Sequence, residues 1–120
     1  MRVLICGGRA PDSEVSDSVH NWCVENLSGG DVVIHGAARG VDTLAMTAAQ
    51  MIPGVLHSPF PADWDKDGRA AGPIRNSRML KEGNPDKVVA FPGGRGTADM
   101  VRKARGAGVP VELVGKHEFA

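Results

Sequence analysis

With 120 residues, 42% of them hydrophobic, the chain carries enough apolar material for one core without disulfide or metal staples, which excludes a disordered segment or a disulfide scaffold. Its 14 basic side chains are matched by 14 acidic ones, and rings are scarce (three Phe, two Trp, no Tyr), so composition argues against nucleic acid or a membrane surface as a partner. No apolar run approaches the roughly 18 residues of a membrane span, and Met1-Arg2-Val3-Leu4-Ile5 enters a strand at once, so no leader segment is expected.

Residues 3–6 form a short β-branched run that predicts a first strand, ended by Gly7-Gly8-Arg9. Residues 13–27 place Val15, Val19, Trp22, Cys23 and Leu27 on one helical stripe, with Asp12 or Ser13 as N-cap. A second strand over 32–35 ends at His35 and runs into Gly36-Ala37-Ala38-Arg39-Gly40-Val41-Asp42. The following helix, 41–51, is rich in alanine, with Leu44, Ala45, Ala48 and Ala49 suited to close packing. A third strand over 55–57 leads to the irregular segment 58–72, which contains Trp64; a loop of that length is more often functional than idle. A helix over 73–82 opens on Pro73 and ends near Gly83. Strands over 88–91 and 111–114 flank a helix over 98–105.

Strands that read as nearly continuous apolar runs are buried on both faces of a parallel sheet. Their alternation with helices predicts an α/β, Rossmann-like, three-layer fold: a single domain over 1–120 with a mostly parallel five-stranded sheet and helices on both faces. Cys6 and Cys23 fit no metal or redox spacing and read as buried thiols of a reducing cytoplasm. His35 and His57 end adjacent strands without a third ligand, so no metal and no cofactor is expected.

The most informative stretch is Pro92-Gly93-Gly94-Arg95-Gly96-Thr97, directly after the fourth strand. Glycines let backbone N–H groups converge, and the helix behind them adds the positive end of its dipole, so the natural occupant is a phosphate. In a parallel sheet, ligands bind at the carboxyl ends of the strands. That edge collects Gly7, Gly8 and Arg9, then Gly36, Arg39 and Asp42, then Trp64, Arg75 and Asn76, and finally residues 92–97. Glycine backbone, arginines, one indole and a few carboxylates suit a nucleotide. Arg75 and Asn76 fall in a predicted first helical turn, where an arginine opposes the dipole and calls for an anionic partner. Asp42 reads either as a helix N-cap or as an acceptor for a ribose hydroxyl, and Thr97 either as a cap or as a phosphate ligand.

Residues 36–42, Ala62-Asp63-Trp64, Ala71-Gly72-Pro73-Ile74-Arg75-Asn76 and residues 92–100 occur in this order over nearly the whole chain. Together they resemble the SLOG superfamily, specifically its YspA/YpsA-related branch, whose relatives include Lonely Guy phosphoribohydrolases and DNA-processing proteins. The resemblance implies binding of a nucleotide or a nucleotide-derived signalling ligand, in the cytoplasm of a bacterial or phage-infected cell. In Lonely Guy enzymes the motif continues from the threonine as x-x-Glu, and the glutamate acts in cleaving the N-glycosidic bond. Here that position is Met100, a thioether that cannot accept a proton, and Asp99 stands just before it. Binding without efficient turnover is therefore the first expectation. The alternative is a nucleoside 5′-monophosphate phosphoribohydrolase in which Arg75 or Arg78 and Asp99 carry the chemistry. Relatives also suggest a homodimer paired through residues 41–51 and the Met100-Val101 face.

Overall fold

The computed structural model describes residues 1–117 and, among them, one five-stranded sheet. Its strands are β1 (Arg2–Cys6), β2 (Val32–His35), β3 (Leu56–Pro59), β4 (Lys87–Ala90) and β5 (Val111–Leu113). The helices are α1 (Ser13–Asn26), α2 (Val41–Met51), α3 (Trp64–Asp67), α4 (Ala71–Gly83) and α5 (Arg95–Gly106). All strand pairs are parallel, and the spatial order is β3-β2-β1-β4-β5. The chain winds outward from β1 to β3, then crosses to β4 and β5 on the other side. This is the expected Rossmann-like α/β fold.

Alternation along the strands builds two apolar layers. Val3 and Ile5 of β1 join Val33, Val89 and Phe91 under α1 and α2. Leu4 and Cys6 point the other way and join Ile34, Val88 and Ala90 under α4 and α5. Val3, Leu4 and Ile5 are fully buried, which stabilises the fold by about 1.5–3 kcal/mol per side chain. Ala45, Ala48 and Ala49 let α2 lie close to the sheet and α1. At the start of α1 the Asp12 carboxylate accepts the Val15 N–H at 2.8 Å, the cap that the sequence announces.

Several boundaries differ from expectation. β3 is an edge strand with Leu56 largely exposed, so it is not buried on both faces. The segment 58–72 is less irregular than it reads, because α3 and a 3₁₀ turn (Gly68–Ala70) order its second half. α4 begins two residues before Pro73, and α5 begins at Arg95 rather than Ala98. Proline and glycine within a first turn leave the terminal N–H groups free in any case, so sequence signals misplace such starts. Of the surfaces expected to pair a dimer, Val41, Ala45, Ala48 and Ala49 pack in one core layer and Met100 and Val101 in the other, while Thr43, Thr47, Gln50 and Met51 of α2 are exposed. No described helix is long and apolar enough to cross a membrane.

Candidate functional site

At the carboxyl edge of the sheet, where the winding reverses between β1 and β4, the structure opens a cleft of about 510 Å³. That size falls in the roughly 300–1,000 Å³ range of small-molecule sites, and the position is where such folds take ligands. The two loops at the reversal are tied together: the Gly8 N–H donates to the Pro92 carbonyl at 3.0 Å, and the Val41 N–H donates to the Gly8 carbonyl at 3.0 Å. One floor therefore joins the ends of β1 and β4 and the start of α2.

The glycines after β4 divide into two kinds. A Cβ on Gly93 would lie 2.7 Å from the Gly8 nitrogen and 2.9 Å from the Gly7 carbonyl carbon; the close approach of the two loops requires glycine there. At Gly94, the N-cap of α5, and Gly96, in its first turn, a Cβ would meet nothing within 4 Å. Neither has a positive φ. Their missing side chains leave open space beside the unpaired N–H groups of the helix start, and Gly94, Arg95 and Gly96 all line the cleft. Thr97 also lines the cleft, largely buried, as the third helical residue and not the cap.

The opposite wall comes from the loop after β2 and from α4. Arg75 donates from Nη1 to the Gly36 carbonyl at 2.5 Å and from Nε to Asn76 Oδ1 at 3.1 Å. Because α4 starts at Ala71, Arg75 and Asn76 lie in its second turn. The Arg75 guanidinium sits beside Asp42, since both would crowd a Cβ placed on Gly36. Burial lowers the Arg75 pKa from its usual value, opposed by the Asp42 charge. Asp42 is buried in the first turn of α2, behind Gly40 as N-cap, and accepts the Ala38 N–H at 3.2 Å. Burial raises its carboxyl pKa, against the Ala38 hydrogen bond and the charges of Arg75 and Arg9. Asn76 Nδ2 bridges to the Gly96 carbonyl at 3.1 Å and to Asp99 Oδ2 at 3.0 Å, fixing α4 to the start of α5.

The mouth is cationic and holds the single exposed indole. Trp64 is 49% exposed, and the Arg9 guanidinium lies 5.3 Å from its ring centroid, a stacked cation–π pair. Arg69, from the 3₁₀ turn, and Arg95 complete the rim. Arg39 is exposed but does not line the cleft, and Gly36, Pro92 and Gly93 support the walls from behind.

The residues considered for catalysis separate. Arg78 is not in the cleft; it is exposed on α4, paired with Glu82 at 2.8 Å and stacked over Phe60. Met100, at the motif's glutamate position, is fully buried against the sheet. Asp99 does line the cleft, yet its carboxylate is held by Arg102 at 2.5 Å, Lys103 at 3.0 Å and Asn76. His35 is buried at the end of β2, where Nδ1 accepts the Ala37 N–H at 3.0 Å. That leaves Nε2–H to donate to His57 Nδ1 at 3.1 Å. Burial, and secondarily His57, lowers the His35 pKa to about 4, so His35 braces the loop after β2 in its neutral form. Among the described residues no three His, Cys, Asp or Glu side chains are placed to hold a metal ion.

Sequence reasoning missed Cys6, Ala38, Arg69, Gly72, Pro73 and Met79 as lining residues. Burial pushes the Cys6 thiol pKa up, so it is an inert wall. Arg69 carried no signal of its own. Only the coiling of α3 and the 3₁₀ turn returns it to the sheet edge.

The Gene 61 protein of Mycobacterium phage D29 is 42% identical over 122 residues, covering 92% of this chain and 93% of that protein. The chain belongs to that phage protein family. No family model matches it. Among solved structures it resembles DNA processing protein A from Helicobacter pylori, described for its single-stranded DNA binding mode (TM-score 0.73, 18% identity, 98% of this chain and 66% of that one). It also resembles the Moco carrier protein of Chlamydomonas reinhardtii (TM-score 0.62, 20% identity, 98% and 78%). DNA processing protein A from Streptococcus pneumoniae aligns at TM-score 0.54 and 20% identity (94% and 58%). The chain thus spans about two thirds or less of the DNA-processing proteins it matches. These are SLOG-type folds, so the resemblance holds at the level of the fold.

One expectation is corrected. Zero net charge and few rings argued against nucleic acid, yet two of these structural neighbours are DNA-processing proteins, one described with single-stranded DNA. Whole-chain charge was the wrong measure. Arg9, Arg69, Arg75 and Arg95 gather at one cleft against only two carboxylates, Asp42 and Asp99, and it is local potential that a phosphate meets.

Proposed function

We propose that the cleft binds the phosphate of a nucleotide or nucleotide-derived ligand at the start of α5, as a one-domain binding unit of the YspA/YpsA-related branch that does not turn its ligand over efficiently. The observation that carries this reading is the open space at Gly94 and Gly96. Neither packing nor a positive φ calls for glycine there, whereas access of an anion to the α5 N–H groups does. Arg95 and Arg75 flank that point and supply charge-assisted donors. Trp64 offers a face on which a base can stack, worth about 1–3 kcal/mol.

Hydrolysis fits less well. The glutamate position is a core methionine, and Asp99 spends its oxygens on Arg102, Lys103 and Asn76. A general acid or base needs a lone pair or proton directed at the substrate. A second reading, single-stranded DNA in the same cleft, is favoured by the likeness to the Helicobacter pylori protein and by the four arginines at the cleft.

A thermal-shift panel of mono-, di- and cyclic nucleotides, ADP-ribose, NAD and a short oligothymidylate tests the reading. A ligand at 100 times its Kd stabilises the folded state by about 2.7 kcal/mol. At least one nucleotide is expected to raise the melting temperature and to be recovered intact after prolonged incubation. Release of free base would establish the hydrolase instead, and a shift with the oligonucleotide alone would establish the DNA reading.

A further inference from the structure

The charge around the cleft exceeds what one phosphate neutralises. Arg9, Arg69, Arg75 and Arg95 line it, against Asp42 and Asp99. Asp99 is already paired with Arg102 and Lys103, which lie outside the lining. Asp42 faces Arg75. Two guanidinium groups therefore remain without a carboxylate partner, Arg95 at the start of α5 and Arg69, while Arg9, stacked on Trp64, shares the Asp42 charge with Arg75. The Arg69 side chain makes no hydrogen bond, ion pair or ring contact among the described residues, and neither does that of Arg95. A phosphate monoester carries about 1.5 to 2 negative charges at neutral pH, and it would sit at one end of this set only.

We infer that the cleft is a two-phosphate site, in which one phosphate binds at the α5 N-terminus with Arg95 and a second binds between Arg9 and Arg69. This rests on the reading that the cleft takes a nucleotide and adds the class: a ligand with at least two phosphate groups. The phosphates are joined either directly, as in a diphosphate, or through a nucleoside, as in a dinucleotide.

Calorimetric titration of the full chain with AMP, ADP and 5′-phosphorylated dithymidylate tests this inference. ADP or the dinucleotide is expected to bind at least about tenfold more tightly than AMP, and the better of the two reports the spacing. The Arg69→Ala variant is expected to bring that ratio close to one; Arg69 has no partner to lose, so the fold is retained. Equal affinities for all three ligands in the wild type would overturn the two-phosphate site while leaving the nucleotide reading intact. A ratio unchanged in Arg69→Ala would likewise remove the assigned second position. Binding of none of them would remove both.

Discussion

Gly94→Asp is expected to weaken nucleotide binding about a hundredfold, or roughly 2.8 kcal/mol, with no loss of stability. The two effects separate because of what surrounds the residue. A Cβ at Gly94 meets no atom within 4 Å, so the substitution costs no packing. Aspartate is moreover a favoured N-cap, preferred over glycine by a few tenths of a kcal/mol, and its charge suits the positive end of α5. The new carboxylate would satisfy the same N–H groups that the phosphate is argued to use and would repel it. A chain selected for stability alone would gain by carrying aspartate there. Calorimetry for affinity and a melting curve for stability read the two halves of the prediction. Unchanged affinity would dissociate the open glycines from ligand binding.

Gly93→Ala should do the reverse, lowering stability by roughly 3 kcal/mol, the upper range for forcing extra volume into a packed site. One residue before Gly94, a Cβ would press on the Gly8 nitrogen and the Gly7 carbonyl carbon. Relief requires parting the loops after β1 and β4, which stretches the Gly8-to-Pro92 hydrogen bond. The shift of the urea midpoint, at unchanged slope, measures the cost. A midpoint equal to that of the wild type would mean that the two loops are less tightly coupled than their hydrogen bonds indicate.

The contrast between these neighbours marks what a sequence can carry. Short β-branched runs ending in glycine were enough for the parallel sheet, because a strand buried on both faces has few polar positions to obscure it. The same text could not rank the glycines of residues 92–97, since what distinguishes Gly93 from Gly94 is a loop more than 80 positions away, at Gly7-Gly8. Arg78 looked equivalent to Arg75 in sequence. One helical turn onward, it faces solvent and Glu82, while Arg75 reaches the Gly36 carbonyl. Met100 and Asp99 were ambiguous until the start of α5 was fixed at Arg95, which turns Met100 into the core and Asp99 toward the cleft. Arg69 was invisible because its position depends on how the segment after β3 coils. The electrostatic lesson is similar: a balanced composition concealed a cationic cleft, because sums over a chain discard position.

The central claim places a phosphate at the start of α5, and an amide-resolved NMR titration with ADP tests that placement most directly. The account predicts that the amide resonances of Gly94, Arg95 and Gly96 move furthest, with saturation, together with the Trp64 indole N–H. It predicts that Trp22, a buried residue of α1 whose indole N–H donates to Glu112, stays still. Shifts concentrated on α1 or β5, with residues 94–96 unmoved, would contradict it.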